Sequence, residues 1–376
     1  MERRIITPRQ GWQNLVEHLG FCFHTIDNEI YWDESAYYYF TSEQIDQLER
    51  ATEVLHSLCE KAARFIIENK RYEGFGFSPL AISLIEKSYK NQSSTLYGRF
   101  DLAYDGINPP KMLEYNADTP TSLFEASVIQ WEWLQSLGFK ADQFNSIHEK
   151  LIEAWSNLIP SGALMHLSGF LDDEEDYATL AYLADTALQV TKRVKVIGLQ
   201  DISLGKKAFR YHFCDKERVE ISYLFKLYPW EWMLNDDFTP YLLKSDMMIF
   251  EPAWRMVLQN KNILTVLWEM FPDSPYLLPA YSSPDKIKNA FVSKLKWGRE
   301  GDGVFFYQFI ETFKLDNDLA ASDFVYQRWF DVPNFSGNYP TIGSWVINGQ
   351  PAGIGIREDK SPIIRKLSRF VPHCFS

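Results

Sequence analysis

Tyr97-Gly98-Arg99-Phe100-Asp101-Leu102-Ala103-Tyr104, then Asp105 to Pro110, then Lys111-Met112-Leu113-Glu114-Tyr115-Asn116 is the stretch on which the reading of this chain turns. Two β-rich runs flank Asp-Gly and Pro-Pro punctuation, which predicts a strand, a loop and a second strand. Alternation along a strand puts Arg99 and Asp101 on one face, with Phe100 and Leu102 on the other. The same rule groups Glu114 with Asn116, and Leu113 with Tyr115. If the strands pair antiparallel, one patch holds an arginine, two carboxylates and an amide oxygen. Those are hard oxygen donors of the kind Mg²⁺ takes when phosphates complete its shell. A solvated sheet face with an ordinary Arg–Asp pair is the plainer alternative.

Downstream, Asn116-Ala117-Asp118-Thr119-Pro120-Thr121-Ser122 runs into a helix expected over 122–137. Its hydroxyls suit a helix cap, and the same N-terminus suits a carboxylate. Upstream, Thr41-Ser42-Glu43 opens a helix with Ile45, Leu48, Leu55, Leu58 and Ala62 at helical spacing, to about Asn69. Ser78-Pro79 starts a second helix through Lys87. The middle alternates, with helices over 147–158 and 176–190 and strands over 163–167 and 194–199. That alternation indicates an α/β or α+β core. From Ala290 the chain turns β-rich, with strands expected over 304–311, 324–329, 343–348 and 354–357.

A second polar constellation is Lys294-Leu295-Lys296-Trp297-Gly298-Arg299-Glu300-Gly301-Asp302-Gly303. Three glycines in six residues among basic side chains suit a loop that covers phosphates; a hairpin turn suits them equally. Spacing and helix context match neither a Walker A loop nor a dinucleotide fingerprint. Lys261 precedes an apolar helix and by itself reads as a surface lysine. Arg357 ends a glycine-flanked strand and by itself reads as easily as a structural ion-pair partner. There is no H-E-x-x-H and no G-x-S-x-G, and the histidines do not cluster.

The bulk numbers bound the rest. At 376 residues and 46% hydrophobic, the chain can bury a large core as one unit or as two to three domains. Its 12 Trp, 20 Tyr and 27 Phe imply heavy aromatic packing. A net charge of −12 repels phosphate backbones, so no nucleic-acid partner is expected. Cys22, Cys59, Cys214 and Cys374 are scattered, which argues against a zinc cluster or a disulfide framework. No apolar run has the length of a membrane span or of a secretory signal, so no membrane partner is expected and the cytoplasm is the expected location.

The order of these pieces resembles the synthetase domain of the glutathionylspermidine synthase family, without the amidase domain that some members carry. The matching segments are Tyr97 to Asp101, Glu114 to Asp118, Asp173 to Tyr177, Phe250 to Trp254, Asn260 to Leu264, Gly298 to Gly303 and Gly355 to Arg357. The resemblance covers nearly the whole chain and implies an α+β fold of the ATP-grasp ligase type, preceded by a pre-ATP-grasp-like α/β region. It implies a single synthetase unit over 1–376, with an N-terminal helical region over 1–95. A metal- and substrate-binding α/β region would cover 96–255, and an ATP-grasp nucleotide region with its lid loop 256–376.

By the same resemblance the cofactors are ATP and Mg²⁺, two ions, with Asp101, Glu114 and Asn116 as metal ligands. Arg99 and Arg357 are the catalytic cations, at the transition states and the reacting phosphate. ATP contacts are implied for Arg99, Lys261, Lys294, Arg299, Glu300 and Gly301. They are implied too for Gln327, Arg328, Trp329 and Phe330, and for Pro362, Ile363 and Ile364. Thr119 and Thr121 stand where the family has glutathione-binding serines, and Glu174 and Glu175 match its substrate-contacting acids. Two positions depart from the family. A glutathione-contacting threonine aligns with Leu227, and a polyamine-contacting acid aligns with Arg369, whose charge repels an ammonium. The expected function is ATP- and Mg²⁺-dependent ligation of a peptide or amino-acid carboxylate to an amine through an acyl phosphate. The alternatives are an authentic glutathionylspermidine synthetase and a non-catalytic nucleotide-binding sensor.

Overall fold

Alternating apolar residues in the quoted stretch build the centre of the molecule. In the computed structural model, which describes residues 1–207, 210–299, 301–308 and 320–376, Tyr97–Ala103 pairs antiparallel with Lys111–Asn116. The register sets Arg99 opposite Asn116 and Asp101 opposite Glu114, so the polar residues share a face. Phe100 and Leu102 are buried behind them, and Phe100 stacks on Tyr115 with ring centroids 3.9 Å apart. Tyr339–Ile347 pairs on the other edge of Tyr97–Ala103, followed by Gln350–Asp359 and Arg369–Val371, giving a five-stranded antiparallel sheet.

The helix Ser42–Glu68 packs on the two long C-terminal strands of this sheet. Its Ile45, Leu48, Leu55, Cys59, Ala62 and Ile66 are all buried, each contributing about 1.5–3 kcal/mol where the side chain is large and apolar. Thr41 and Gln44 close the reciprocal capping box at its start. Ser78 caps the second helix, Pro79–Lys90.

A second, parallel sheet has the order Met248–Phe250, Tyr223–Lys226, Met165–Gly169, Val194–Gly198. It carries the helices Ile147–Leu158 and Glu174–Thr191, in keeping with the expected alternation. The strand expected over 163–167 begins at Met165, because Pro160 to Ala163 form a turn with Gly162 at φ 81. A third sheet, Ala280–Tyr281, Phe324–Arg328, Phe291–Leu295 and Val304–Tyr307, has its own small core of Ile287, Phe291, Phe324 and Tyr326. The strand expected over 304–311 is described only to Tyr307, and its last three residues lie outside the described residues.

Two further pairings join distant parts of the chain. Ala36–Phe40 pairs antiparallel with Glu2–Ile5 and parallel with His373–Phe375. The helix expected over 122–137 is not regular: Glu125–Ile129 is π-helical before α-helix resumes at Gln130–Leu137. Ser122 does not cap it, since its hydroxyl is engaged with Tyr31. Among the described residues no helix is long and apolar enough to cross a membrane.

Candidate active site

Arg99 lies across the polar face of the central sheet. Its guanidinium donates to both oxygens of Asp101, at 2.7 and 3.1 Å, and to the Thr121 carbonyl at 2.6 Å. Asn116 Nδ2 donates to the same Asp101 carboxylate at 3.2 Å. The neighbouring strand makes room for this arginine with Gly343, where a Cβ would come within 2.8 Å of Arg99 Cδ.

Glu114 projects beside this group, pairs with Lys261 and lies in the field of Lys294. Lys261 Nζ is 3.1 Å from it and also donates to the Gly298 carbonyl at 2.6 Å. Lys294 Nζ donates to the Leu113 carbonyl at 2.8 Å. Burial alone would raise the Glu114 carboxyl, but Lys261 and Lys294 outweigh it and hold the group at about 2. Burial, opposed by Glu114, pushes the Lys294 ammonium down to about 8. The surface position that its residue type suggests for Lys261 is corrected here: it is 6% exposed, because Glu114 and Gly298 supply the partners that water normally does.

The turn that follows Asn116 is clamped by groups that the sequence did not single out. Gln259 Oε1 accepts from the amides of Ala117 and Asp118, and Arg255 Nε donates to the Ala117 carbonyl at 2.9 Å. The buried Asp118 carboxylate accepts from Lys226 Nζ at 2.6 Å and from the Trp230 amide at 2.8 Å. Glu251, inside the Phe250 to Trp254 segment, accepts from the amides of Leu96 and Tyr97 and so fixes the start of the site strand. The motif was visible, but its clamping role needed the contacts.

One cleft runs from this face to the third sheet. Asp101, Glu114, Asn116, Lys294 and Arg299 line it, with the expected nucleotide residues Gln327, Arg328, Trp329 and Phe330 along one wall. Leu278, Val292 and Val332 add apolar surface there, and Pro362, Ile363 and Ile364 close another side. Gly301, at φ 79, reaches the last of these: a Cβ on it would collide with the Ile364 carbonyl oxygen. Glu300 lies outside the described residues. Arg299 donates to Glu231 at 2.8 Å and to the Thr119 hydroxyl at 3.0 Å, while its Nη2 has no partner among the described residues.

Arg357 borders the cleft floor beside Arg99 and commits its Nε and Nη2 to the carbonyls of Arg365, Lys366 and Ser368, at 2.7–3.3 Å. Thr119, Thr121 and Arg299 also line a neighbouring cavity of about 460 Å³, where Glu174, Glu175 and Leu227 sit. The two acids begin the helix that Asp173 caps. Burial, with Asp173 and Glu175 nearby, pushes Asp176 up to about 7. Arg369 stands apart, paired with Asp33 at 2.8 Å and Glu358 at 2.7 Å. Among the described residues there is no group of three or more His, Cys, Asp or Glu able to hold a metal by themselves.

A glutathione synthetase-like effector from Globodera pallida, GSS30 in its apo form, shares the fold. Its TM-score is 0.58 over 90% of this chain and 88% of that one, at 11% identity. This architecture is that of an α+β ligase of the ATP-grasp type. The chain belongs to the glutathionylspermidine synthase preATP-grasp family, whose model matches residues 3–376. A Haemophilus influenzae protein named "Putative acid--amine ligase" is 39% identical, over 95% of each chain. Trypanothione synthetase of Crithidia fasciculata is 26% identical over 81% of this chain and 51% of its own length. The bifunctional glutathionylspermidine synthetase/amidase of Escherichia coli is 24% identical over 90% of this chain and 59% of its own. The chain thus spans between half and three-fifths of those two enzymes. Kinship with named ligases and synthetases makes it a carbon–nitrogen ligase.

Proposed function

We propose that this protein is an ATP- and Mg²⁺-dependent acid–amine ligase that activates a peptide or amino-acid carboxylate as an acyl phosphate and transfers the acyl group to an amine. The observation that carries this reading is the single cleft in which Asp101, Glu114 and Asn116 face Arg99, Lys294 and Arg299. The donor set fits magnesium: two carboxylates and an amide, all oxygen ligands, too few to complete a shell without phosphate and water. When bound, the ion would neutralise charge on the phosphate oxygens, held by Asp101, Glu114 and Asn116. The idle Arg299 Nη2 fits an anion in the same way.

In this reading the apolar wall with Gln327 to Phe330 takes the base, and Lys261, Lys294 and the Gly298 to Gly303 loop take the phosphates. The acid substrate lies where the two cavities share Thr119, Thr121 and Arg299. Its carboxylate oxygen bonds to the terminal phosphorus as the bond to ADP breaks. The amine nitrogen then bonds to the acyl carbon as phosphate leaves. Arg99 steadies the negative charge of both transition states, a contribution of about 3–4 kcal/mol for one preorganised donor. Arg357 positions the Arg365 to Ser368 turn beside it. Arg369, committed to Asp33 and Glu358, offers no acid to a polyamine, and Leu227 gives the acid side an apolar wall. Both favour substrates other than glutathione and spermidine.

The test is ADP release from Mg²⁺-ATP across a matrix of small peptides and amines, with Asp101→Ala as control. Release that needs both an acid and an amine, and disappears in the control, supports the ligase and names its substrates. ATP binding without release anywhere in the matrix replaces it with the sensor reading.

A further inference from the structure

Two departures from ordinary backbone fall in one turn beside the Arg99–Asp101 pair. Ser122 occupies the left-handed region at φ 66, which residues other than glycine seldom use. Three residues on, Glu125–Ile129 is π-helical, a geometry that recurs as single turns at functional sites. Together they set three polar groups in a row. Ser122 Oγ lies 3.0 Å from Tyr31 Oη, and Tyr31 Oη donates to Glu125 Oε1 at 2.6 Å. A tyrosine has one hydroxyl proton, and while Glu125 is ionised it goes to the carboxylate, which makes Ser122 the donor to Tyr31. The row therefore has a single polarity, with the lone pairs of Ser122 Oγ at its outer end.

Ser122 lines a small cavity, with room for about one water, that adjoins the cleft at Arg99, Asp101 and Arg357. The inner end is sealed. Glu125 is 1% exposed, and its Oε2 has no hydrogen-bond partner among the described residues. Leaving a buried carboxylate oxygen unpaired is costly, and protonation of the group removes much of that cost.

We propose that Ser122, Tyr31 and Glu125 form a proton relay that draws a proton from the acceptor amine as it enters the cleft. The relay rests on the acid–amine ligase reading. An alkylamine is a cation at neutral pH and has no lone pair with which to attack. Its proton passes by way of a water in that cavity to Ser122 Oγ, the serine proton passes to Tyr31 Oη, and the tyrosine proton passes to Glu125 Oε1. The nitrogen keeps the electron pair that then forms the bond to the acyl carbon. The second proton lost by the nitrogen leaves with the phosphate, and Glu125 gives its proton back along the row between turnovers.

The groups facing Glu125 are Tyr31 from the N-terminal segment, Glu175 from the helix Glu174–Thr191 and Arg357 from the strand Gln350–Asp359. Burial and the like charge of Glu175 push the Glu125 carboxyl up to about 7, with the Tyr31 hydrogen bond, the residue's own backbone amide and Arg357 opposing. A group so placed takes and returns a proton at neutral pH. Burial raises the Tyr31 hydroxyl well above its ordinary value, so it hands protons on without ionising.

The experiment compares acceptors that differ in charge. ADP release by Glu125→Gln and Tyr31→Phe is measured with the acid and alkylamine found in the matrix, and with the same acid and hydroxylamine, which is uncharged at neutral pH. The relay predicts that kcat with the alkylamine falls about 100-fold and that with hydroxylamine changes no more than about threefold. It also predicts that the alkylamine defect shrinks as pH rises. Equal losses with both acceptors, or no loss with either, overturn it. If Glu125→Gln does not fold, Tyr31→Phe carries the same comparison. A wild-type protein that couples no acid to any amine defeats the ligase reading first, and the relay with it.

Discussion

Lys294 and Glu114 stand in one buried group, yet they carry opposite energetic signs. The Lys294 ammonium is pushed down to about 8, mainly by burial, so at neutral pH the folded state keeps the charge but holds it less favourably than the unfolded chain does. Replacing it with an isosteric apolar chain removes that cost. Lys294→Met also leaves the Leu113 carbonyl without its donor, so it is expected to melt near the wild-type temperature while turnover falls at least about 100-fold. Glu114 is held at about 2, and its removal leaves Lys261, Lys294 and Arg99 without their shared anion. Glu114→Gln should lose about 3 kcal/mol in a urea titration as well as turnover. A parallel effect of the two substitutions on stability would show that the cations and the carboxylate do not balance one another. The quartet of Arg99, Asp101, Glu114 and Asn116 was legible because a strand's period of two needs only neighbouring residues. The burial of Lys261 was not, since the rule that lysines face water is an average over sites without a Glu114.

At the scale of elements, the loop Gly298 to Gly303 meets the Pro362–Ile364 segment through a glycine that no other residue can replace. Gly301 combines φ 79 with a backbone carbonyl where a Cβ would stand. The left-handed conformation alone costs an L-residue about 1–2 kcal/mol. Gly301→Ala should weaken ATP binding about tenfold, measured by calorimetry, and lower the melting temperature by about 1–3 °C. Unchanged affinity would mean that closure of this contact is not part of nucleotide binding. The capped helices and the site hairpin were readable from local signals such as Thr41 with Gln44. The π-helical turn at Glu125–Ile129 was not, because one extra residue per turn barely disturbs a pattern of apolar spacing.

For the whole molecule, His373 reports how the ends of the described chain are joined. It lies on the strand paired with Ala36–Phe40, fully buried, with Nδ1 2.9 Å from Gln130 Oε1. Burial pushes its ring down to about 3, so the unfolded chain binds a proton that the folded chain refuses. The stability this contributes is complete above about pH 6.5 and is lost as pH falls toward 3, at up to about 1.4 kcal/mol per pH unit. His56, pushed down to about 4 by burial and Arg255, adds in the same sense. Glu125, Glu251 and Asp176, all raised to about 7, act in the opposite sense. The informative quantity is therefore a difference. Between about pH 6.5 and 5, acidification should lower the urea midpoint of His373→Gln less, or raise it more, than that of wild type, and equal slopes would show that His373 does not carry its share of the acid response.

The sequence by itself determined the hairpin and its polar face, the capped helices, the alternation in the middle and the ordered segments that mark the family. Each of these depends on backbone preference and side-chain period over a few residues, and that information is local. Only the tertiary structure decided that Lys261 would be buried against Glu114 with Lys294 close by, and that Arg369 would be spent on Asp33 and Glu358. It also decided that Tyr31 would link Ser122 to Glu125. Those pairings join residues 11 to 336 positions apart, and which of them form is settled by how the sheets and helices exclude water, not by any signal that neighbouring residues carry.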